Sequence, residues 1–248
     1  MADTLEKEIV IPTPDGQMDA FLSTPTKLTG PLPAIIVIQE AFGLNNHIQD
    51  VCRRFAKQGM IALAPDLFHR QGKKLVIPYT EFMKVMPILA NLSNEGIVTD
   101  IKAARSYLET QPNVIKQKIG AVGFCMGGFA AMLSACKQLV DFAICFYSAG
   151  LFHKRPGIGL SPIFEEFDFI KVPVLLFFGE NDTSIPLLEI EKIRNALTSL
   201  KVDHEIVIYP HAGHGFFCES RGAYSKEAAI QAWDYLLQWL NKKINLTV

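Results

Sequence analysis

From residue 34 to the end, strand-like runs alternate with segments of helical spacing, and this alternation constrains the fold more than any other feature of the chain. Ala34-Ile35-Ile36-Val37-Ile38 is continuous and apolar, the pattern of a strand covered on both faces in a parallel sheet. Ile48, Val51, Cys52, Phe55 and Ala56 follow at helical spacing, closed by Gly59. Residues 61–64 read as strand, and Val98, Ile101, Ala104 and Leu108 as one face of a helix. Strands over 118–124 and 142–147 bracket a helix over 126–136. Residues 174–178 and 205–209 read as strands around a helix marked by Ile190, Ile193, Leu197 and Leu200, with Pro186 near its start. The closing helix sets Ala229, Trp233, Leu236, Leu237, Leu240 and Ile244 on one stripe. Ahead of the alternation, residues 8–12 and 18–23 flank the turn-forming Pro14-Asp15-Gly16, which reads as an antiparallel hairpin near a sheet edge. The fold class is α/β: a mostly parallel, twisted sheet with helices on both faces.

No repeat, low-complexity stretch or linker divides the 248 residues, so a single domain over 1–248 is expected. At 49% hydrophobic with a net charge of -1, disorder is excluded as a global state. The balance of 24 basic and 25 acidic residues gives no electrostatic case for nucleic acid or an anionic membrane. The apolar runs are far shorter than the roughly 20 residues of a membrane span. Met1-Ala2-Asp3-Thr4-Leu5-Glu6 has neither the basic nor the apolar region of a signal peptide. Five scattered cysteines without a C-x-x-C pair argue against a disulfide framework and a zinc site. These features predict a reduced, cytoplasmic protein with no metal or organic cofactor and a small-molecule partner. Two stretches, 68–94 and 151–168, are long for connections in a compact domain. Each follows a strand, so each is expected at the C-terminal edge of the sheet, where ligands of open α/β sheets bind.

Gly123-Phe124-Cys125-Met126-Gly127-Gly128 sits between a strand and a helix. It is the G-x-S-x-G nucleophile elbow with Cys for Ser. Small neighbours allow the sharp turn that lifts the central side chain above the sheet, and the helix N-terminus favours a thiolate there. A buried structural cysteine beside a glycine turn is the competing reading, disfavoured by glycines on both sides. No Gly-Lys-Ser/Thr follows, so the glycines do not form a phosphate loop.

A thiol nucleophile needs a base, and the base an orienting group. On an elbow-bearing sheet these follow in the order nucleophile, acid, histidine. Of His153, His204, His211 and His214, His214 is preferred: Gly213 and Gly215 permit a tight loop after the last strand, with His211 the alternative. Asp182 is the preferred acid and Glu180 the second choice, both leaving the strand end at Gly179. An oxyanion site needs two backbone N–H donors, one from Met126 and one from the loop Gln39-Glu40-Ala41-Phe42-Gly43. Within that loop Glu40 is unusual, a carboxylate at the end of an apolar strand: a loop-start acid or a site residue.

Together these pieces resemble the dienelactone hydrolase family of α/β hydrolases. The resemblance rests on Gln39-Glu40-Ala41-Phe42-Gly43-Leu44-Asn45, Ala64-Pro65-Asp66-Leu67, the Cys125 elbow, Gly179-Glu180-Asn181-Asp182 and Ala212-Gly213-His214-Gly215-Phe216, in family order. It implies the α/β-hydrolase fold and a Cys–His–Asp triad of Cys125, His214 and Asp182. It also implies oxyanion donors at Ala41 and Met126, and a Glu40 that contacts the resting thiol and moves when substrate binds. An anion beside Cys125 opposes thiolate formation and so slows oxidation. The implied activity is hydrolysis of a small ester or lactone through a thioester, with a non-catalytic ligand-binding or regulatory homologue as the alternative. One departure stands out. Where dienelactone-cleaving members place a carboxylate-gripping arginine, four residues past the histidine, this chain has Cys218; its next arginine is Arg221, and Arg70 is the only one soon after Asp66. That argues against the acidic lactone itself as substrate.

Overall fold

The computed structural model describes residues 3–28 and 30–246; Met1 and Ala2 of the N-terminal reading lie outside them. The hairpin forms as β1 (Thr4–Thr13) and β2 (Gly16–Pro25), paired antiparallel from Thr13↔Gly16 to Thr4↔Pro25. Gly16 takes φ +133, and the Thr13 hydroxyl accepts from the Asp15 amide and donates to the Gly16 carbonyl. The later strands are β3 (Leu32–Ile38), β4 (Ile61–Pro65), β5 (Val114–Phe124), β6 (Ala143–Phe146), β7 (Val174–Gly179) and β8 (His204–Tyr209). All eight lie in one sheet in the order β1-β2-β4-β3-β5-β6-β7-β8. Pairing is parallel from β4 through β8 and antiparallel between β2 and β4, which sets the hairpin at one edge. Successive strand residues face opposite sides, and β4, β6 and β7 are buried at every position, so both faces of the central sheet are covered.

The helices are α1 (Asn46–Lys57), α2 (Phe82–Ala90), α3 (Asn94–Thr110), α4 (Met126–Cys136), α5 (Leu187–Ser199) and α6 (Lys226–Ile244). Asn45 caps α1 by accepting from the Ile48 amide at 3.2 Å, and Ser93 caps α3 by accepting from Gly96 at 3.0 Å. Among the described residues no helix is long and apolar enough to cross a membrane.

Three local readings change. The stretch 68–94 contains α2, a helix with Pro87 inside it that buries only Val85 and Leu89, too sparse a pattern to announce itself. The stretch 151–168 runs into a 3-10 turn at Phe164–Phe169. The buried face of α6 is rotated: Trp239 is buried and meets Phe142 edge-on at 6.2 Å, whereas Trp233 and Leu237 are only partly buried.

Candidate active site

The elbow forms because three glycines let β5, α4 and β3 come into near contact. A Cβ on Gly123 would fall on the Gly127 carbonyl, and one on Gly127 would fall on the Ile38 and Gln39 carbonyls. Gly128 lies against Ser148 and the Phe146 carbonyl. Cys125 turns the chain between strand and helix at φ 56, ψ -114, a conformation that costs a non-glycine residue about 1–3 kcal/mol. Its amide donates to the Phe146 carbonyl at 3.0 Å. Of the five cysteines it alone is not buried. Burial pushes the thiols of Cys52, Cys136, Cys145 and Cys218 up, away from thiolate chemistry.

His214 reaches the thiol from the loop after β8, its Nε2 3.1 Å from Cys125 Sγ. Its Nδ1 lies 2.8 Å from Asp182 Oδ2, on a side chain that is itself fully buried. The other Asp182 oxygen accepts from the Ser184 amide at 2.8 Å, which fixes the carboxylate. The two loops are tied together: the Asn181 amide donates to the Ala212 carbonyl at 2.9 Å, and Gly179 leaves room for that carbonyl. Of the glycines beside His214, only Gly215 takes a left-handed φ, +87, and a Cβ there would also meet the Arg221 guanidinium. Burial alone would push the His214 imidazole down. The negative charge at Cys125 and the hydrogen bonds to Asp182 and Cys125 outweigh it and push the group up to about 10.

The competing candidates lie elsewhere. His211 is exposed, and its amide donates to Glu180 Oε2 at 3.3 Å, which occupies the second-choice acid as well. His204 bonds the Val202 carbonyl, and His153 is exposed.

Glu40 is buried beside this relay, but Sγ faces His214 and the Glu40 carboxylate has different partners. Its Oε1 accepts from Arg221 Nη1 at 3.1 Å and from the Tyr147 hydroxyl at 3.3 Å; Oε2 has no hydrogen-bond partner among the described residues. The expected contact of Glu40 with the resting thiol is thus replaced by an ion pair and a phenol. Tyr147 is fully buried at φ +37, and burial, reinforced by the Glu40 charge, pushes its phenol well up, so it stays a donor.

Cys125 opens into a cavity of about 310 Å³ that Ala41 and Met126 also line. Its walls are mostly apolar, with Phe82 and Leu89 contributed by α2, which places the 68–94 stretch over the site. Two guanidiniums interrupt the apolar lining, Arg155 from the 151–168 stretch and Arg221. Arg155 donates to the Ser184 carbonyl, and Arg221 stacks over Phe42 at 5.6 Å. Sequence reasoning missed Arg155 and Tyr147, which no local motif marks, and met Arg221 only as an arginine out of place. Arg70 is held by Asp100 and Asp15 and is not among the residues lining this cavity.

Comparison with known proteins agrees with this geometry. The model of the dienelactone hydrolase family matches residues 18–244. A Synechocystis protein named "Putative carboxymethylenebutenolidase" is 40% identical over 93% of this chain and 94% of its own length. A Yersinia pestis protein of the same name is 34% identical over 95% of this chain and 87% of its own. The crystal structure of a Klebsiella pneumoniae protein described as a "Putative Dienelactone Hydrolase" superposes with a TM-score of 0.87 at 30% identity, covering 97% of this chain and 99% of that one. The sheet order, the elbow and these relatives agree: the chain is a hydrolase of α/β-hydrolase fold and belongs to the dienelactone hydrolase family.

Proposed function

We propose that the protein hydrolyses a small ester or lactone by acyl transfer to Cys125, acting as a single domain. The observation that carries this reading is the continuous line from Sγ to Nε2 at 3.1 Å and from Nδ1 to Asp182 at 2.8 Å, starting on a strained elbow. The proton shared by Cys125 and His214 resides on the imidazole as Sγ attacks the acyl carbon. A carbon–sulfur bond forms, and the carbonyl electron pair moves onto oxygen. Ala41 and Met126 flank the place where that oxyanion stands, and amides of the first turn of a helix have no partner within the helix. Collapse expels the alkoxide, which takes the proton from His214 Nε2. Water then attacks the thioester while His214 accepts its proton, and the acid leaves as the thiol is regenerated. Asp182 holds the ring and stabilises its charged form throughout. No step requires a metal or an organic cofactor.

Arg155 and Arg221 favour a substrate with an anionic group beside the scissile bond, since a guanidinium pairs with a carboxylate through paired hydrogen bonds. Cys218 argued against the acidic lactone itself as substrate; Arg155 and Arg221 supply guanidiniums from other positions of the cavity wall. Glu40 acts on the thiol through its charge and through Arg221. The five free cysteines fit a reducing, cytoplasmic setting. Trapping with a short ester followed by acid quench and peptide mass analysis tests the chemistry. An acyl group on the Cys125 peptide is the expected result. Turnover with acylation on another residue, or with none, refutes it.

A further inference from the structure

A second cavity, of about 410 Å³, lies across the Phe42–Tyr79 contact from the Cys125 cavity and shares no lining residue with it among the described residues. It is walled by β2, the start of α1, Asp66 just past β4, and the segment 74–79. Two of its polar side chains are more than nine-tenths buried and incompletely bonded. Asp66 is 2% exposed: its Oδ1 accepts from the Phe68 amide at 2.9 Å, the Lys74 backbone amide also acts on the carboxylate, and no well-formed hydrogen bond reaches its Oδ2 among the described residues. His47 is 8% exposed and its Nε2 is likewise without one. A buried acceptor left bare is costly, and most so when charged. The volume far exceeds the roughly 30 Å³ of one water, and Phe21, Leu44, Ile77 and Tyr79 give it an apolar wall.

The charges around Asp66 define what is missing. Asp19 on β2 and Glu8 on β1 line the same cavity. The Lys74 ammonium is held by Glu8 at 2.5 Å, and the His69 ring by Asp100 at 3.1 Å, so neither side chain is bonded to Asp66. Burial pushes the imidazole of His47 on α1 down, away from the charged form. The start of α1 carries about half a positive charge, but the Asn45 side chain already caps it. The unmet requirement is a donor with positive charge and an apolar body.

We propose that this cavity is a second binding site, for a small organic cation: a primary ammonium on a hydrocarbon or aryl body, donating to Asp66 Oδ2 with its body against Phe21, Leu44 and Ile77. The site does not depend on the hydrolytic reading, and its test reads binding alone.

The test is two-dimensional amide NMR of the full chain titrated with benzylamine, and with benzyl alcohol as its uncharged counterpart. Benzylamine is expected to shift the amides of Ala20, Asn45, Gln49 and Ile77, and to bind about tenfold or more tightly than the alcohol. Asp66→Asn, which keeps the acceptor for Phe68, should abolish that preference. Ile77→Trp, which fills the cavity while keeping the Asp66 carboxylate, should block both probes. Burial pushes the Asp66 carboxyl up to about 6, so benzylamine binding should weaken as the pH falls below that value. Equal binding of the two probes, an unchanged preference in Asp66→Asn, unchanged binding in Ile77→Trp, or shifts centred on Ala41 and Met126 would each overturn the proposal.

Discussion

At the scale of single residues, the account depends on where protons sit. Cys125 is the largest of the influences raising His214, so Cys125→Ser should lower the imidazole titration from about 10 toward its ordinary 6.5, observable by nitrogen-15 NMR of the ring. The sign for stability follows. A raised histidine contributes stability that is full below pH 6.5 and lost as the pH rises toward about 10. Thermal unfolding of the wild type should therefore decline across that window, and that of Cys125→Ser should decline less. Asp182→Asn keeps the shape but no longer fixes the charged imidazole, and should lower kcat by about three to four orders of magnitude with little effect on folding. Asp66 runs the other way. Its carboxyl is raised from 3.8 to about 6, so its contribution to stability is full below pH 3.8 and lost as the pH rises through about 6. Asp66→Asn should be more stable than wild type at pH 7 by about 2–3 kcal/mol, read from urea unfolding at two pH values. The nucleophile, histidine and acid were legible in the sequence because glycines punctuate each of their loops. Arg155, Tyr147 and the partners of Glu40 were not, because only the packed sheet brings residues 40, 147, 155 and 221 to one place.

At the scale of elements, the site is a problem of close approach. Gly127→Ala would place a methyl group on the Ile38 and Gln39 carbonyls, backbone that cannot swing aside, and should cost about 3 kcal/mol or more or prevent folding. Gly213 meets nothing nearer than 3.9 Å, so Gly213→Ala should change stability by less than about 1 kcal/mol. Denaturant unfolding of the two variants separates an elbow glycine that packing requires from a glycine of the Gly-His-Gly loop that it does not. Periodicity revealed α1, α3 and α5 because each buries a regular stripe, whereas α4 is buried all round and was placed by the elbow before it. Periodicity did not reveal α2, whose exposed Phe82 and Met83 belong to a helix laid over a cavity rather than a core.

At the scale of the molecule, the order of the strands explains why distant sequence pieces converge. β3, β5, β7 and β8 run parallel, so the loops carrying Glu40, Cys125, Asp182 and His214 all leave the same edge of the sheet. That much follows from the alternation of buried runs and helices. The closure of the cavity by α2 and by the Arg155 segment does not, since each long connection takes its path from contacts with the other elements. The central claim is acyl transfer at Cys125, and pre-steady-state hydrolysis of p-nitrophenyl acetate by wild type, Cys125→Ser and Cys125→Ala tests it most directly. The account predicts a burst of nitrophenolate matching the enzyme concentration in wild type, and neither burst nor turnover in folded Cys125→Ala. Turnover in Cys125→Ala equal to that of wild type would contradict it.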